Sequence, residues 1–308
     1  MAVMSTLMFP VRFCRGLFYG VSLFSFACGI NVLQLITLPF LSFSRRLSYE
    51  FNSGVAGSIW HVMQRIFKSR YKGRITYSGD QLPANESAIV ISNHVSTTDV
   101  YLIHSVAQAQ GMLSYCKYFA KDSLKYIPFF GWGMWIMGML FIKRNWEKDQ
   151  TRIMNTFSRF KSISAPVWVV SFLEGSRINA SKLAKAQVFA AERGLYVPNN
   201  ILVPRTKGFI ATVQALRDSH VKYVYDLTLA YWHQVRGFCA APGMVGVHTQ
   251  CLDGYKFHVH IRRFLIADLP QDDEKLNEWV REIYKDKDSY LEQLKNSWEV
   301  SEDFRLEP

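Results

Sequence analysis

The chain has 308 residues, 49% of them hydrophobic, which is enough to bury the core of one large domain or two small ones and excludes intrinsic disorder. Its formal charge of +11 favours an anionic partner, either a phospholipid surface or nucleic acid. The aromatic residues cluster in apolar runs and do not alternate with Lys and Arg, which argues against nucleic acid and leaves a membrane as the expected partner.

The first predicted element is a membrane segment. Residues 16–44 carry no charge, and a helix needs only about 20 apolar residues to cross the hydrocarbon of a bilayer. Basic residues flank both ends, so the positive-inside rule gives no orientation. Gly29 and Pro39 leave two shapes open, one tilted spanning helix or a two-part hairpin in a single leaflet. A cleaved signal peptide is a weaker alternative because the run is too long.

Beyond about residue 71, short β-rich runs alternate with amphipathic stretches. Residues 88–92 and 167–172 are continuous apolar runs of strand length, as parallel strands buried on both faces require. Later strands are predicted at residues 224–231 and 256–264. Helical spacing is shown by three sets of apolar residues: Ile153, Phe157 and Phe160; Phe209, Val213 and Leu216; and, after Pro270, Leu276, Trp279, Val280 and Ile283. This alternation predicts an α/β fold with a mainly parallel sheet flanked by helices, behind an N-terminal membrane-anchoring helical segment.

The predicted organisation has three parts. Residues 1–60 form the N-terminal membrane segment, residues 61–232 the core domain, and residues 233–308 a C-terminal extension with a strand and an amphipathic helix. Within the core domain, residues 129–142 are apolar but too few to span a bilayer as a helix. This stretch is either core or a surface that dips into the membrane.

Asn93, His94 and Asp99 follow directly on the strand at 88–92 and precede an apolar helix face. His94 is therefore expected on a strand-to-helix turn, where Asp99 can fold back to accept the imidazole N–H and leave the other ring nitrogen to take a proton. The sequence contains no G-x-S-x-G elbow, so direct attack by a substrate hydroxyl is simpler than an intermediate on a serine.

His248 and Asp253 have the same spacing, but they follow no buried strand and lack the preceding Asn. Spacing alone does not decide between the two pairs, since an Asp in the first turn of a helix is common for reasons of the helix dipole. Glu174 and Arg177 follow the second buried strand and should project at the same carboxyl edge as His94, where open α/β sheets bind ligands. In isolation Glu174 and Arg177 would be interpreted as a surface Glu–Arg pair. Their predicted place at the same edge favours the pair of His94 and Asp99 over that of His248 and Asp253.

The cysteine and histidine patterns do not predict a metal. The five cysteines are widely spaced, without a C-x-x-C pair, so neither a disulfide framework nor a zinc site is expected. His258 and His260 lie on one face of a predicted strand, and without a neighbouring cysteine or acidic cluster they indicate a strand with two histidines.

Five segments follow one another in the order 93–99 (NHVSTTD), 120–132 (AKDSLKYIPFFGW), 141–144 (FIKR), 172–177 (FLEGSR) and 202–208 (LVPRTKG). Together they resemble the successive blocks of the glycerolipid acyltransferase family, and most closely its eukaryotic branch of 1-acyl-sn-glycerol-3-phosphate and lysocardiolipin acyltransferases. The likeness runs from about residue 70 to residue 295. Five ordered blocks are far more specific than any one of them.

The resemblance implies that His94 is a general base oriented by Asp99, which acts on the free hydroxyl of a lysophospholipid while acyl-CoA supplies the thioester. The expected acceptor is 1-acyl-sn-glycerol-3-phosphate, which would give phosphatidic acid. The residues implied to bind the acceptor's phosphate are Glu174, Gly175, Arg177, Lys121 and Arg144. The positions implied to support these motifs are Asn93, Pro128, Gly131 and Pro204.

The implied enzyme uses no cofactor or metal, and acyl-CoA is its co-substrate. We expect an integral or monotopic protein of an internal membrane, the endoplasmic reticulum, that binds no nucleic acid. Two alternatives stay open: the same chemistry on a lysocardiolipin-type or lysophosphatidylinositol-type acceptor, and a catalytically silent membrane scaffold. The intact set of His94, Asp99, Glu174 and Arg177 argues against the scaffold.

Overall fold

The computed structural model describes residues 2–41, 43–71, 75–143, 146–250 and 252–300. Its α-helices are α1 (Ala2–Leu41), α2 (Arg45–Arg70), α3 (Asp99–Ala109), α4 (Phe130–Ile136), α5 (Trp146–Ile163), α6 (Ala180–Glu192), α7 (Lys207–Leu216), α8 (Met244–Thr249) and α9 (Asp273–Val300). Its strands are β1 (Ile75–Gly79), β2 (Ala88–Ser92), β3 (Cys116–Lys121), β4 (Leu140–Ile142), β5 (Trp168–Phe172), β6 (Tyr223–His233), β7 (Gly237–Phe238) and β8 (Tyr255–Leu265).

The strands form one sheet in the order β1-β8-β6-β2-β5-β3-β4, with β7 paired to β6. The pairs of β6 with β7 and with β8 are antiparallel, and every other pair is parallel. The predicted mainly parallel sheet is therefore confirmed. The central strand β2 is buried along its whole length, which explains why its sequence is apolar without interruption.

Helices cover both faces of this sheet. On one face, α2 and α3 contribute large side chains such as Trp60, Phe67 and Tyr101 to a buried cluster. On the other face, α5, α7 and α9 contribute the apolar residues whose helical spacing the sequence showed, including Phe157, Val213 and Val280. The two buried clusters pack on opposite faces of the sheet. Because β2, β5 and β3 are parallel neighbours, their carboxyl ends lie side by side at one edge.

The N-terminal segment is a single long helix in this structure, and Gly29 and Pro39 do not divide it. Within it, Cys14–Thr37 is long and apolar enough to cross a membrane by length and composition. Helix α1 packs against α2, α4 and α8, and much of its remaining apolar surface, for example Phe40, is exposed.

The apolar stretch 129–142 combines both of the roles that the sequence left open. It forms α4 and the short edge strand β4, with Met137, Leu140 and Phe141 in the core. Trp132 and Trp135 on α4 are instead exposed, 45% and 67% respectively. The stretch is thus core on one side and an exposed aromatic surface on the other.

Candidate active site

The site begins where β2 and β5 end, because Ser92 and Phe172 are register partners in neighbouring parallel strands. Asn93 follows β2 and is buried. Its amide donates to the carbonyl of Leu229 at 2.9 Å and accepts the N–H of Leu229 at 2.8 Å, which ties the end of β2 to β6. These bonds fix the backbone from which His94 emerges.

His94 and Asp99 form the predicted pair. The imidazole Nδ1 lies 2.7 Å from Asp99 Oδ2, and the His94 side chain is 21% exposed whereas that of Asp99 is completely buried. Asp99 also accepts the backbone N–H groups of Val95 and Ser96 and the hydroxyl of Tyr231, at 2.6 to 3.1 Å. A carboxylate held by so many donors keeps Nδ1 as the protonated nitrogen and leaves Nε2 as an acceptor.

The ring of His94 is also held from the side. Phe172, the last residue of β5, stacks on it with ring centroids 4.1 Å apart and an interplanar angle of 17°. The carbonyl of His94 accepts the N–H of Ile178 at 2.8 Å. The imidazole is therefore fixed in position and orientation, as general base catalysis requires.

Glu174 accepts a hydrogen bond from the same turn. Its Oε1 accepts the N–H of His94 at 3.0 Å, and its Oε2 accepts the N–H of Leu202 at 3.2 Å. Burial raises the pKa of this carboxyl to about 8, and the two backbone N–H donors counteract part of that rise. Both oxygens accept backbone N–H groups and the residue is 3% exposed, so Glu174 joins the turn of His94 to the segment that begins at Leu202. Its expected role as a phosphate contact stays a prediction, and this placement argues against a direct contact.

Gly175 has a positive φ of 68°, which favours glycine, and a methyl group there would lie 3.2 Å from Cδ of Arg205. The side chain of Arg205 thus packs directly on the turn that carries Arg177. Both arginines are exposed, and among the described residues no carboxylate pairs with either. Two exposed guanidinium groups without a described carboxylate partner at this turn favour an anionic ligand.

The remaining predicted residues differ in their relation to this edge. Lys121 ends β3, two strands from β2, which places it about 10 Å across the sheet from His94. Arg144 lies outside the described residues.

The positions expected to support the motifs differ in their surroundings. Pro128 is exposed. Pro204 precedes Arg205, whose N–H donates to the carbonyl of Leu173 at 2.7 Å. Gly131 lets α4 approach Leu124, since a methyl group there would lie 2.1 Å from that carbonyl oxygen.

His248 and Asp253, the second pair with this spacing, do not contact each other through a described hydrogen bond. His248 Nε2 lies 2.8 Å from the hydroxyl of Tyr101, and no hydrogen bond joins it to Asp253 in the described part of the chain. His258 and His260 contact hydroxyl groups: His258 Nδ1 lies 2.7 Å from Thr76 Oγ1, and Ser78 Oγ lies 2.9 Å from His258 Nε2 and 2.8 Å from His260 Nδ1. His258 and His260 are therefore bonded to hydroxyl groups within the protein, while the buried Nδ1 of His248 has no hydrogen-bond partner among the described residues.

Tyr231, Phe172 and Arg205 were not predicted as site residues. Tyr231 looks like an ordinary strand residue in the sequence, because nothing in an apolar run shows which side chain will face the site. Phe172 had a signal, since it opens the segment 172–177. Arg205 had a signal, since it belongs to the segment 202–208, but only its neighbour Pro204 was selected.

The fold and the site together describe an α/β protein with a histidine paired to a buried carboxylate, and with two exposed arginines, at one sheet edge. Comparison with known proteins identifies the class. The family described as "Acyltransferase" matches residues 74–232, and the one described as "Acyltransferase C-terminus" matches residues 250–305. The chain belongs to this acyltransferase family.

Individual relatives agree. The probable 1-acyl-sn-glycerol-3-phosphate acyltransferase 5 of Arabidopsis thaliana is 30% identical over 287 residues, which cover 91% of this chain and 73% of that protein. The 1-acyl-sn-glycerol-3-phosphate acyltransferase gamma of Homo sapiens is 30% identical over 269 residues, 85% of this chain and 69% of that protein. Among solved structures, the 1-acyl-sn-glycerophosphate (LPA) acyltransferase PlsC from Thermotoga maritima matches with a TM-score of 0.47 and 16% identity, over 86% of this chain and 96% of that one.

Proposed function

We propose that this acyltransferase esterifies the free hydroxyl of 1-acyl-sn-glycerol-3-phosphate with the acyl group of acyl-CoA and so forms phosphatidic acid. The observation that carries the proposal is the 2.7 Å contact between His94 Nδ1 and the buried Asp99, next to two arginines without a described carboxylate partner. The names of the relatives support the choice of acceptor.

In the proposed reaction, Nε2 of His94 takes the proton of the acceptor hydroxyl as its oxygen attacks the thioester carbonyl. Asp99 stabilises the imidazolium that forms. The C–S bond then breaks, the ester is released, and the imidazolium returns its proton to the thiolate of coenzyme A. A positioned base of this kind contributes roughly 10²- to 10⁴-fold in rate.

Arg177 and Arg205 are proposed to bind the acceptor's phosphate, with Lys121 as a further cation at the same edge. A guanidinium presents a planar fork that matches phosphate oxygens, and each charge-assisted hydrogen bond contributes about 1.5–3 kcal/mol. Because both oxygens of Glu174 accept backbone N–H groups, its carboxyl group pairs with neither arginine.

Helix α1 is proposed to attach the protein to the endoplasmic reticulum membrane. Its stretch Cys14–Thr37 has a mean hydropathy of 1.6. Exposed Trp132 and Trp135 on α4, which packs against α1, provide aromatic side chains of the kind found at membrane–water interfaces. Attachment would bring the site to its lipid acceptor, which is itself dissolved in the bilayer.

The test is an acyl-transfer assay with detergent-purified protein, labelled acyl-CoA and a panel of acceptors: 1-acyl-sn-glycerol-3-phosphate, lysocardiolipin and lysophosphatidylinositol. We expect the first to be preferred. For Arg177→Ala the apparent affinity for the acceptor should fall about ten- to a hundredfold while that for acyl-CoA stays constant, and Arg177→Lys should restore part of it.

Arg281→Ala, an exposed arginine on α9, is the matched control and should behave as wild type. No transfer to any acceptor would refute the enzyme function in favour of a silent scaffold. A higher KM for acyl-CoA with an unchanged acceptor KM would assign Arg177 to the donor.

A further inference from the structure

A cavity of about 850 Å³ lies along the outermost strand β4, between the first turns of α2, helix α4 and helix α5. Neither His94 nor Arg177 is among its described lining residues. Strand β4 is three strands away from β2, which corresponds to about 14 Å across the sheet. The cavity is therefore separate from the candidate active site.

The wall of this cavity is cationic. Arg45, Lys125, Arg152 and Arg159 line it, and its described lining residues include no Asp or Glu. Asp122 stands behind the wall and binds Lys125 at 2.9 Å and Arg152 at 2.7 Å. Within the described chain, Arg45 and Arg159 pair with no carboxylate. Asp122 thus pairs with two of the four cations, and the excess positive charge favours an anionic occupant.

The same wall has an apolar side. Tyr49, Trp135, Ile136 and Phe160 line the cavity. Trp135 is 67% exposed, and Phe43, two residues before Arg45, is 92% exposed. Aromatic side chains next to arginines are typical of the membrane–water interface, so an occupant with both an anionic group and a hydrocarbon chain fits this lining.

Asn52 provides an independent polar signal. It lines the cavity and is 2% exposed. Its Nδ2 donates to the carbonyl of Ser48 at 2.8 Å, but its buried Oδ1 has no hydrogen-bond partner among the described residues. A buried acceptor of this kind favours a ligand with a donor such as a hydroxyl group.

We propose that this cavity binds an acidic phospholipid of the bilayer whose headgroup carries a hydroxyl, at a site separate from acyl transfer. The phosphate lies between Arg45 and Arg159, the headgroup hydroxyl donates to Asn52, and the start of one acyl chain lies against Trp135 and Ile136. The proposal rests on the proposed membrane attachment, because the lipid enters from the bilayer that α1 occupies.

The experiment measures lipid binding to the detergent-purified full chain by native mass spectrometry, with phosphatidylglycerol, phosphatidylcholine and soluble sn-glycerol-3-phosphate as probes. The cavity variant is Arg45→Gln with Arg159→Gln. The control variant, Arg65→Gln with Arg281→Gln, loses the same charge at exposed positions outside the cavity. Melting temperature in neutral detergent and acyl transfer without added acidic lipid are recorded for each protein.

Wild type and control should bind phosphatidylglycerol at least tenfold more tightly than the other two probes, and the cavity variant should lose about tenfold of that affinity. All three proteins should melt alike and transfer acyl groups within twofold of one another. Equal losses in both variants, retained binding in the cavity variant, or equal affinity of wild type for glycerol phosphate would overturn the proposal. Acyl transfer lost in the cavity variant alone would assign the cavity to the substrate path. Absence of acyl transfer in wild type would refute the proposed function. The lipid-binding proposal would then be judged by the binding measurements alone.

Discussion

Replacing Asp99 by Asn tests the proposed mechanism most directly, because it removes one charge and keeps the shape of the side chain. Asp99 Oδ2 lies 2.7 Å from His94 Nδ1 and 2.8 Å from the N–H of Val95. Its Oδ1 accepts the hydroxyl of Tyr231 at 2.6 Å. An asparagine can keep its oxygen toward His94 and Val95 and turn its amide toward the oxygen of Tyr231, so most of the hydrogen bonds survive.

The expected effect follows from the lost charge. A hydrogen bond to a charged group contributes about 1.5–3 kcal/mol, and the imidazolium that forms during attack would face a neutral amide. We therefore expect kcat to fall about ten- to a hundredfold, with the KM of both substrates changed by less than threefold. Tyr231→Phe removes a single contact to the same carboxylate and should lower kcat by only about two- to tenfold, since a typical net hydrogen bond contributes about 0.5–1.5 kcal/mol.

The assay is steady-state kinetics of acyl transfer with thermal melting as the folding control. Asp99→Ala serves as the disruptive comparison, because it leaves the N–H groups of Val95 and Ser96 and the hydroxyl of Tyr231 without their acceptor. It should lower the melting temperature where Asp99→Asn does not. If Asp99→Asn keeps kcat within twofold of wild type, the carboxylate does not stabilise a protonated His94 and the proposed mechanism is wrong.

Four further outcomes are expected. His94→Ala should abolish turnover, whereas His248→Ala, which loses contacts to Tyr101 and Tyr19, should stay within a few-fold; equal losses would contradict the choice of base. The folded-state pKa of about 8 for Glu174 exceeds its ordinary 4.5, so folding binds a proton at this residue. The contribution of Glu174 to the free energy of unfolding should therefore be fully present below about pH 4.5 and be lost as the pH rises through about 8. Glu174→Gln should flatten that decline in pH-dependent melting, at a cost of about 1–3 kcal/mol because its amide N–H₂ opposes a backbone N–H. Gly175→Ala should lower acceptor affinity by displacing Arg205, as measured by KM, and an unchanged KM would separate Arg205 from the phosphate. Chelators should leave activity unchanged; loss in EDTA with recovery in zinc would reopen a metal site.

The membrane-anchoring segment was predicted from residues 16–44 alone, and the structure has an apolar helix there. A charge-free run of that length can be recognised because bilayer thickness sets the required number of residues. The same reasoning could not choose between one helix and a hairpin. Packing of α1 against α2, α4 and α8 accompanies the single helix in this structure.

The sequence by itself predicted the strands β2, β5, β6 and β8, the mainly parallel sheet and the pair of His94 and Asp99. Continuous apolar runs mark doubly buried strands, helical spacing marks the covering helices, and polar residues directly after a buried strand reach its carboxyl edge. These patterns are local, so they can be recognised in the sequence before it is known which strands are neighbours in the sheet.

Only the tertiary structure decided which groups meet at that edge. Glu174, which the sequence placed only as a candidate phosphate contact, lies between the N–H groups of His94 and Leu202, residues far apart in the chain. Tyr231 reaches Asp99 because β6 pairs with β2, and Arg205 reaches Gly175 because the segment after α6 returns to the end of β5. The physical reason is burial: whether a carboxylate faces a ligand or two backbone donors depends on what surrounds it in space, and that is set by contacts between distant parts of the chain.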